Sequence, residues 1–552
     1  MQKVLTAAQM REVDRLTTER YGIPSIILME NAAHAVARVI TEKLGGSVKG
    51  KSILILCGKG NNGGDGAALG RILAEEGANV TVELFGNVFE TKGDARENFE
   101  KLQRMVGSWF RSNVVFSEIR AETDDNGISD WMDNSIYDDA DVVVDAIFGT
   151  GLKSKLGEFY EEVVENILNN WKRIHGKPTF VSVDIPTGID ADLTQPPGAC
   201  LRSDVTITFT APKPASVLPP ASSFNGGLVV ADIGSPPELV NEQPSQLFLA
   251  EQDDVAEWLK KSEFSNSSYK NKRGHALMIA GSRDYSGAAV LCGDAAIRSG
   301  VGLATLAVPE SSRDSVVARV SPEVMVRGIA ETESGSASEK AFGEITEFSK
   351  NVDVIAIGSG LSSKEDETKR FIKRIVDERK MPIVIDADGL TALSPWKIKG
   401  DSDLPLILTP HEGEFRKLLG LEKEEFETVI NDRVKVVRDF ATEHNVILVL
   451  KGERNLIGGR NGNVVVNPTG NPGLGKAGNG DTLTGIITGF VAQAVQMKID
   501  IFETVVAAVY VAGMAGDIAE KKFGKRVMTA SDVRECLAEV FAQFERSGPV
   551  DS

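Results

Sequence analysis

The sequence has few of the residues that build disulfide or zinc scaffolds, with only four cysteines and five histidines in 552 residues. Cysteine stands at positions 57, 200, 292 and 536, far apart and without a CxxC pair. This spacing fits neither a disulfide framework nor a paired-cysteine zinc site. We therefore expect a protein of the reducing cytoplasm.

Long hydrophobic runs are also lacking. The longest late apolar run, VVAAVYVAGMAG at 505–516, has 12 residues, whereas a membrane-spanning helix needs roughly 20. This run predicts a buried helix. The N-terminus reaches Arg11, Glu12 and Asp14 before any long apolar core, so we expect no signal peptide. Together these features predict a chain without a membrane partner.

Positive charge is in deficit, because 61 lysines and arginines face 79 aspartates and glutamates, for a net charge of −18. Phosphate backbones and anionic lipids attract a basic face, so this balance predicts no general binding to nucleic acid. The hydrophobic share of 42% and the charged share of 25% are typical of a globular protein. Any phosphate group must therefore bind at a local site.

The length indicates two large domains, because one domain typically has roughly 100 to 200 residues. Val/Ile-rich runs alternate with amphipathic stretches in both halves, which predicts an α/β fold of parallel strands covered on both faces. The runs lie at 52–57, 79–85, 141–149, 179–186 and 204–212, and then at 275–282, 303–309, 353–360, 381–389, 404–410 and 445–452. GLVVADIG reads as a closing edge strand, and a polar segment follows it at 235–273. We place the boundary near residue 240, which gives domains 1–240 and 241–552.

A glycine turn, CGKGNNGGDG, follows the first strand and opens a helix. In a parallel α/β sheet such a turn lies at the carboxyl end of its strand, where ligands bind. Gly63 and Gly64 let backbone amides approach an anion closely, and the helix N-terminus adds its dipole. The spacing is neither the GxGxxG dinucleotide motif nor a P-loop. A purely structural turn is an equally good interpretation of this motif alone.

Two further strands end in an aspartate followed by a glycine turn, in VVVDAIFGTGL and VSVDIPTGID. Asp145 and Asp184 should then face the same crevice. Side-chain oxygens of Asn62, Asp145 and Thr187 could converge on a hard cation, and Asp184 could exchange a proton with a ligand. The alternative is that each aspartate only caps the next helix. Three such turns together favour a site.

A second constellation lies in NPGLGKAGNGDTLTGIITGF at 471–490, where apolar residues at helical spacing begin just after a glycine run. The helix should begin at about Gly480 or Asp481. Its unpaired amides, exposed by Gly478, Asn479 and Gly480, predict an anion hole reinforced by the helix dipole. A carboxylate there can accept a proton from an attacking hydroxyl while the amides stabilise a phosphoryl group, which makes Asp481 the candidate base. An ordinary helix cap is the structural alternative.

Upstream motifs support the phosphoryl-transfer interpretation. Lys451 ends a strand in LVLKGERNLIG, and GNVVVNPTGNPG predicts a hairpin strand leading to the anion hole. His411 follows a strand and precedes a helix in LILTPHEGEF. A loop histidine is usually solvated, but at a strand end it can contact a ligand.

NNGGDG, DAIFGTGL and VDIPTGID resemble the YjeF N-terminal family, whose enzymatic members are NAD(P)H-hydrate epimerases, and the match spans nearly all of residues 1–235. The resemblance implies a Rossmann-like three-layer α/β/α sandwich, potassium at Asn62, Asp145 and Thr187, and Asp184 as the acid/base group. The residues implied to surround the hydrated nucleotide are Asn61, Asn62, Gly63, Gly64, Asp65, Gly149, Thr150, Gly151, Leu152, Lys153, Ser154, Lys155 and Asp184. Some members of this family are non-catalytic interaction modules, which leaves a binding module as the alternative.

The second half resembles the ribokinase-like superfamily, and more closely the ADP/ATP-dependent NAD(P)H-hydrate dehydratases. The stretches that carry this likeness, over roughly 273–535, are GSRDYSGAAVLCGDAAIRSGVGLATLAVP, IGSGLS, VIDADGL, TPHEGEF, LKGERNLI and NPGLGKAGNGDTLTGIITGF. The resemblance implies an α/β/α fold and ADP or ATP with Mg²⁺ as co-substrate. Its implied hydrate-binding residues are Ala288, Gly360, His411 and Asp481, and its implied nucleotide-binding residues are Lys451, Gly452, Glu453, Arg454, Asn455 and Gly480. Two departures are visible, with Glu412 where proline is common and Asn455 where threonine is common.

Fusion of the two modules is itself a trait of these families and implies bifunctional repair of nicotinamide nucleotides hydrated at C6 of the ring. The first domain would interconvert the R and S hydrates of NADH and NADPH, called NADHX and NADPHX. The second would dehydrate the S form with ADP, releasing AMP and phosphate. The alternative is a kinase of a small alcohol, such as a vitamin precursor, fused to a binding module. By the same resemblance we expect a homo-oligomer.

Overall fold

The computed structural model describes residues 1–106, 113–120, 140–171, 178–264 and 268–547. The chain divides into two compact units, Gln2–Ser245 and Gln246–Ser552, the latter together with Met1. The division therefore lies close to the predicted boundary near residue 240. Each unit has its own sheet and its own core.

The described part of the first unit contains eight strands. They are β1 (Gln2–Lys3), β2 (Ser52–Cys57), β3 (Asn79–Phe85), β4 (Val114–Ile119), β5 (Val142–Ala146), β6 (Thr179–Val183), β7 (Val205–Phe209) and β8 (Gly227–Ala231). Seven of them form a sheet in the order β4-β3-β2-β5-β6-β7-β8, with every neighbouring pair parallel. The strand order reverses between β2 and β5, which is where α/β sheets of this kind bind ligands.

Helices cover both faces of this sheet. They are α1 (Ala7–Tyr21), α2 (Ser25–Lys43), α3 (Asn61–Glu75), α4 (Gly93–Val106), α5 (Glu158–Trp171), α6 (Pro214–Val217) and α7 (Pro237–Glu242). Successive residues of β2 point to opposite faces, so Ile53 and Ile55 share a core with α2 and α3, while Leu54 and Leu56 share one with α5. The predicted three-layer α/β/α sandwich is confirmed.

Ten strands form the sheet of the described second unit. They are β9 (Leu247–Leu249), β10 (His275–Ile279), β11 (Leu303–Pro309), β12 (Val324–Ile329), β13 (Val354–Ile357), β14 (Ile383–Ile385), β15 (Leu406–Leu408), β16 (Ile447–Leu450), β17 (Leu456–Gly458) and β18 (Val464–Val466). Their order is β9-β18-β17-β16-β15-β14-β13-β10-β11-β12. The six runs predicted as parallel strands in this half, β10, β11 and β13 to β16, pair in parallel. Strand β18, in the stretch predicted as a hairpin strand, pairs antiparallel with β17, and β17 pairs antiparallel with β16.

Twelve helices belong to the described second unit. They are α8 (Gln252–Lys261), α9 (Ser286–Arg298), α10 (Arg313–Val317), α11 (Phe342–Phe348), α12 (Asp366–Asp377), α13 (Asp388–Ala392), α14 (Glu412–Leu419), α15 (Lys423–Val429), α16 (Arg433–His444), α17 (Asn479–Met497), α18 (Ile501–Phe523) and α19 (Ala530–Ser547). Val354 and Ala356 of β13 pack in one core with α9, α17, α18 and α19, whereas Ile355 and Ile357, on the opposite face, are also buried. This unit is α/β/α as well.

Helix α18 contains the apolar run for which a buried helix was predicted. It is longer than that run, with 23 residues, and by length and composition alone it could cross a membrane. However, 61% of its most apolar window is buried inside the protein, where it packs against α17, α19 and α8. It is a core helix of the second unit.

All four cysteines are free thiols and all are buried.

Candidate active sites

The glycine turn after β2 lies at the point where the strand order of the first sheet reverses. Helix α3 begins there at Asn61, which is exposed, whereas the four residues from Asn62 to Asp65 are buried. A Cβ on Gly63 would lie 1.8 Å from the carbonyl oxygen of Gly58, and one on Gly64 would lie 2.8 Å from the Cα of Ala95. The two glycines are thus required by close backbone packing, and an anion cradle is not needed to explain them.

Asp145 ends β5 and is fully buried. Its Oδ1 accepts the Thr187 hydroxyl hydrogen at 2.6 Å and its Oδ2 accepts the Thr187 N–H at 2.8 Å. Ser182 Oγ and Ile147 N donate as well, at 3.0 and 3.3 Å. Burial raises the pKa of Asp145, and these donors oppose the increase. The predicted partners Asp145 and Thr187 are therefore in direct contact.

Asp184 follows β6 and takes a left-handed backbone conformation with φ of 65°. Non-glycine residues adopt this region at an energetic cost and are concentrated at functional sites. Its Oδ1 accepts hydrogen bonds from Lys213 Nζ at 2.8 Å and from Thr208 Oγ1 at 3.1 Å. Its Oδ2 accepts the Thr150 N–H at 3.2 Å. Asp184 thus links two strand ends of the first sheet.

Gly149 begins the segment 149–155 that was predicted to bind the hydrate. A Cβ there would lie 2.9 Å from Asp184 Oδ2 and 3.0 Å from Asn62 Oδ1, so Gly149, Asp184 and Asn62 meet at one place. Within the described chain, Asn62 Nδ2 is buried without a hydrogen-bond partner. The fold brings these three predicted residues together and leaves one donor unused.

The rest of the segment is less enclosed. Leu152 is buried, whereas Gly151, Lys153, Ser154 and Lys155 are exposed. Lys153 Nζ lies 2.7 Å from Asp192 Oδ2, and Lys155 Nζ lies 2.8 Å from Glu161 Oε1. Both lysines are therefore held by surface carboxylates at the edge of the site.

Two charged residues beside Asp184 were not predicted from the sequence. Lys213 is only 2% exposed, and Asp14 of α1 is partly buried, with a buried Oδ1 that has no hydrogen-bond partner among the described residues. Burial raises the pKa of Asp14 to about 6; Lys213 opposes this increase and Asp184 adds to it. Burial also raises the pKa of Asp65, again with Asp184 and Asp14 adding to the effect. The strand-end position of Lys213, just past β7, is the signal that could have found it.

In the second unit Asp481 lies in the first turn of α17, which begins at Asn479, one or two residues before the predicted start. Burial raises the pKa of Asp481 to about 6, the nearby Asp386 carboxylate adds to the increase, and Ser359 and Lys451 oppose it. A carboxyl with a pKa near 6 can both accept and release a proton close to neutral pH. The direction of this pKa shift is compatible with the predicted role of Asp481 as a general base.

The predicted anion hole lies at this turn, but the Asn479 N–H is already used, because it donates to the Lys476 carbonyl at 3.4 Å. Gly478 has φ of 90° and caps α17 without a side chain. The Asn479 side chain donates to the Leu474 carbonyl at 3.0 Å, which fixes the loop before the helix. A Cβ on Gly480 would lie 3.5 Å from Lys451 Nζ and 3.6 Å from Asp386 Oδ2. The helix N-terminus, Lys451 and two carboxylates thus share one location.

Lys451 was predicted to bind nucleotide, but its Nζ is bound to Asp386 Oδ1 at 2.8 Å. Burial works to lower the pKa of Lys451, yet Asp386 and Glu414 outweigh it, and the pKa is raised. Asp386, which is 2% exposed, also accepts the Thr484 hydroxyl at 2.8 Å. No role was predicted for Asp386, although it directly follows β14 in VIDADGL.

The two departures from the family pattern have structural partners. Glu412 Oε1 lies 3.5 Å from Arg433 Nη2. Asn455 Oδ1 accepts the Gly452 N–H at 3.1 Å, which closes the loop of the predicted nucleotide-binding segment. In the same segment Glu453 is exposed and Arg454 donates to the Pro468 carbonyl. These hydrogen bonds therefore fix the conformation of the loop.

Of the remaining predicted hydrate-binding residues, Ala288 lies in the first turn of α9, and Gly360 and His411 follow β13 and β15. A Cβ on Gly360, which has φ of 65°, would lie 2.7 Å from the Ala288 Cβ, so these two residues touch. His411 caps α14, because its Nδ1 accepts the N–H groups of Gly413 at 3.0 Å and Glu414 at 3.3 Å. Its Nε2, the ring nitrogen that remains for a ligand, lies 3.6 Å from Glu414 Oε1.

No group of three or more His, Cys, Asp or Glu side chains suited to a metal ion occurs in the described ranges. The assignments of individual site residues stay predictions, although the fold places them in two clusters.

Known proteins resemble the chain in both units. Residues 25–215 match the family described as YjeF-related protein N-terminus, and residues 276–539 match NAD(P)H-hydrate dehydratase. The chain is 37% identical over 546 residues to the bifunctional NAD(P)H-hydrate repair enzyme Nnr of Moorella thermoacetica, covering 98% of this chain and 97% of the relative. The same enzyme of Thermofilum pendens is 35% identical over 529 residues, with 96% and 94% covered.

Among solved structures, an ADP/ATP-dependent NAD(P)H-hydrate dehydratase of Bacillus subtilis, co-crystallised with ATP and Mg²⁺, is 27% identical with a TM-score of 0.46. It covers 54% of this chain and 98% of its own. The two full-length relatives, together with the matches in both units, determine the assignment. The chain belongs to the family of bifunctional NAD(P)H-hydrate repair enzymes.

Proposed function

We propose that the chain repairs hydrated NADH and NADPH by two reactions. The first unit interconverts the R and S hydrates, and the second dehydrates the S hydrate with ADP, releasing AMP and phosphate. The observation that carries the proposal is a carboxylate at the carboxyl edge of each sheet: Asp184, which is buried, in the first unit, and Asp481, which is partly buried, in the second. Full-length likeness to repair enzymes supports the same pairing of activities.

For epimerisation, we assign proton transfer to Asp184. It takes the proton of the C6 hydroxyl while the bond between C6 and N1 breaks, leaving a carbonyl at C6 and the electron pair on N1, which takes a proton from water. Rotation and the reverse steps close the ring on the other face. The R and S hydrates contain the same atoms and bonds, so their interconversion consumes no co-substrate.

For dehydration, Asp481 accepts the proton of the C6 hydroxyl as that oxygen attacks the terminal phosphoryl group of the nucleotide. The amides of Gly478 and Gly480 would face the phosphoryl oxygens and stabilise their charge. The hydroxyl becomes a phosphate ester, and phosphate then leaves with loss of a proton from the ring, which restores the reduced nicotinamide. Lys451 offers a positive charge at the same helix terminus.

The cations are part of this proposal. Mg²⁺ would accompany the nucleotide phosphates and neutralise their charge. Oxygen atoms of Asn62, Asp145 and Thr187 are the donor type that suits potassium, and that ion would hold the turns of the first site in place. The Thr187 hydroxyl donates its hydrogen to Asp145 and accepts the Phe148 N–H at 3.0 Å, so one lone pair of its oxygen remains for the ion. We also propose a cytoplasmic location and a homo-oligomer.

The test uses purified protein, a mixture of R and S NADH hydrates and ADP, with the absorbance of reduced nicotinamide as the signal. We expect absorbance to rise only with nucleotide, and to continue past the S fraction faster than in a control without the first activity. A stable phosphorylated product from a small alcohol, with no recovery of absorbance, would instead identify the kinase alternative.

A further inference from the structure

Lys213 is a deeply buried cation beside the candidate site of the first unit. It is 2% exposed and follows β7 in TAPKP. Its ammonium group donates to Asp184 Oδ1 at 2.8 Å, to Thr208 Oγ1 at 2.8 Å and to the Phe209 carbonyl at 3.1 Å. All three donor hydrogens are used, so this cation is a fixed part of the fold.

The two carboxylate oxygens of Asp184 have different partners. Oδ1 faces inward, where Lys213 and Thr208 hold it. Oδ2 faces the segment 149–155, because it accepts the Thr150 N–H at 3.2 Å and lies 2.9 Å from the position of a Cβ on Gly149. Only Oδ2 is therefore directed to the place predicted for the hydrate.

The charges around Lys213 explain why a cation is needed there. Asp184 and Asp65 are buried, and Asp14 is partly buried with a buried Oδ1. The three carboxyl groups act on one another and belong to different elements. Like charges repel strongly where water is excluded, so one buried ammonium group must offset them. Lys213 makes its only carboxylate hydrogen bond among the described residues with Asp184.

We propose that Lys213 is a positioning residue of the epimerase reaction, which holds Asp184 Oδ1 so that Oδ2 is presented to the C6 hydroxyl of the hydrate. This inference rests on the proposed epimerase function. It assigns no proton transfer to Lys213, because all its hydrogens are committed to fixed acceptors. Thr208 completes the arrangement, since it donates to Asp184 and accepts from Lys213.

The test is Lys213→Met in the full chain, which keeps an unbranched apolar stem and removes the charge. We expect kcat for conversion of the R hydrate to fall by at least about tenfold, the lower range for a misdirected acid/base group, with a smaller change in KM. Dehydration of pure S hydrate in the same sample should be unchanged. Lys51→Met is the matched control, because Lys51 Nζ pairs with Asp141 Oδ1 at 3.0 Å in the same unit, away from this site.

A double-mutant cycle separates positioning from general damage. In the Asp184→Asn background, Lys213→Met should cost little further activity, because the two residues act through one another. An equal fold-loss in both backgrounds would overturn the inference, as would an unchanged kcat in Lys213→Met while the wild-type chain converts R hydrate. A wild-type chain that does not convert R hydrate would overturn the proposed epimerase function itself.

Thr208→Val serves if Lys213→Met does not fold. This near-isosteric change removes one donor to Asp184 Oδ1 and leaves the lysine in place. A loss confined to kcat of R conversion supports the inference. Unchanged kcat in a folded Thr208→Val chain contradicts it.

Discussion

At the scale of single residues, Asp481 gives a prediction for the dehydration step. Its pKa is raised to about 6 by burial and by Asp386. A general base works only when deprotonated, so the rate of S-hydrate dehydration should fall as the pH decreases through about 6. Asp481→Asn should lose about 10² to 10⁴-fold in turnover while still binding nucleotide, as measured by calorimetry. Turnover near that of the wild type would remove Asp481 from the role of base.

A second residue-scale prediction concerns stability. The pKa of Asp14 is raised to about 6 in the folded protein, above the unfolded value near 4, so the folded state binds more protons between these values and its stability decreases as pH rises through this range. Asp14→Asn removes that cost and should raise the free energy of unfolding at pH 7.5 by about 1 to 3 kcal/mol.

The gain should disappear below about pH 4, where both states are protonated. Urea denaturation of the first unit at several pH values measures it. Asp314→Asn is the control, because that side chain is 97% exposed. A destabilised Asp14→Asn chain at pH 7.5 would show that the ionised carboxylate is needed to offset Lys213.

At the scale of elements, the close packing of α9 against α17 depends on a glycine, which has no side chain. A Cβ on Gly485 would lie 2.2 Å from the Cys292 carbonyl oxygen, which is far inside normal contact. Gly485→Ala should therefore push the two helices apart and destabilise the second unit by about 1 to 3 kcal/mol, the usual cost of overpacking. The readout is the temperature at which half of the dehydratase activity is lost.

Gly343→Ala is the matched control, since nothing lies within 4 Å of its Cβ position in helix α11. It should leave that temperature unchanged or raise it slightly, because alanine favours a helix over glycine. If Gly485→Ala behaves like Gly343→Ala, the close approach of α9 and α17 is not essential.

Local patterns predicted elements well where a strand is a continuous apolar run. The runs at 52–57, 79–85 and 303–309 coincide with β2, β3 and β11. Strand β12, with the sequence VMVRGI, is partly exposed and carries an arginine, so it lacks the continuous signal of a buried strand. The pattern of glycines and aspartates likewise located both sites at strand ends.

The contacts within the sites could not be predicted in the same way. Lys213 reaches Asp184 across 29 positions of the chain, and nothing in the local sequence of either residue encodes that pairing. His411 was predicted to contact a ligand, whereas in the structure its side chain caps a helix by accepting the N–H groups of Gly413 and Glu414. The sequence did not indicate this role, because histidine is not a usual helix-capping residue. The sequence pattern determines which strand ends meet, whereas tertiary packing determines which side chains pair.

At the scale of the whole molecule, each candidate site is built from residues of one unit. A mixture of full-length Asp184→Asn and Asp481→Asn chains should therefore restore complete conversion of an R and S hydrate mixture with ADP. Asp184→Asn alone should stop at the S fraction, and Asp481→Asn alone should give no recovery of absorbance. A mixture no better than Asp184→Asn alone would mean that the S hydrate must pass between the sites of one chain.

The buried thiols are shared evenly, with Cys57 and Cys200 in the first unit and Cys292 and Cys536 in the second. Burial raises the pKa of each, to about 11 for Cys200, so hardly any thiolate exists at neutral pH. Alkylating reagents attack the thiolate and need access to it. Iodoacetamide should therefore label each cysteine only when its unit opens. Mass spectrometry of the four labelled peptides then reports the opening rate of each unit in the wild-type chain.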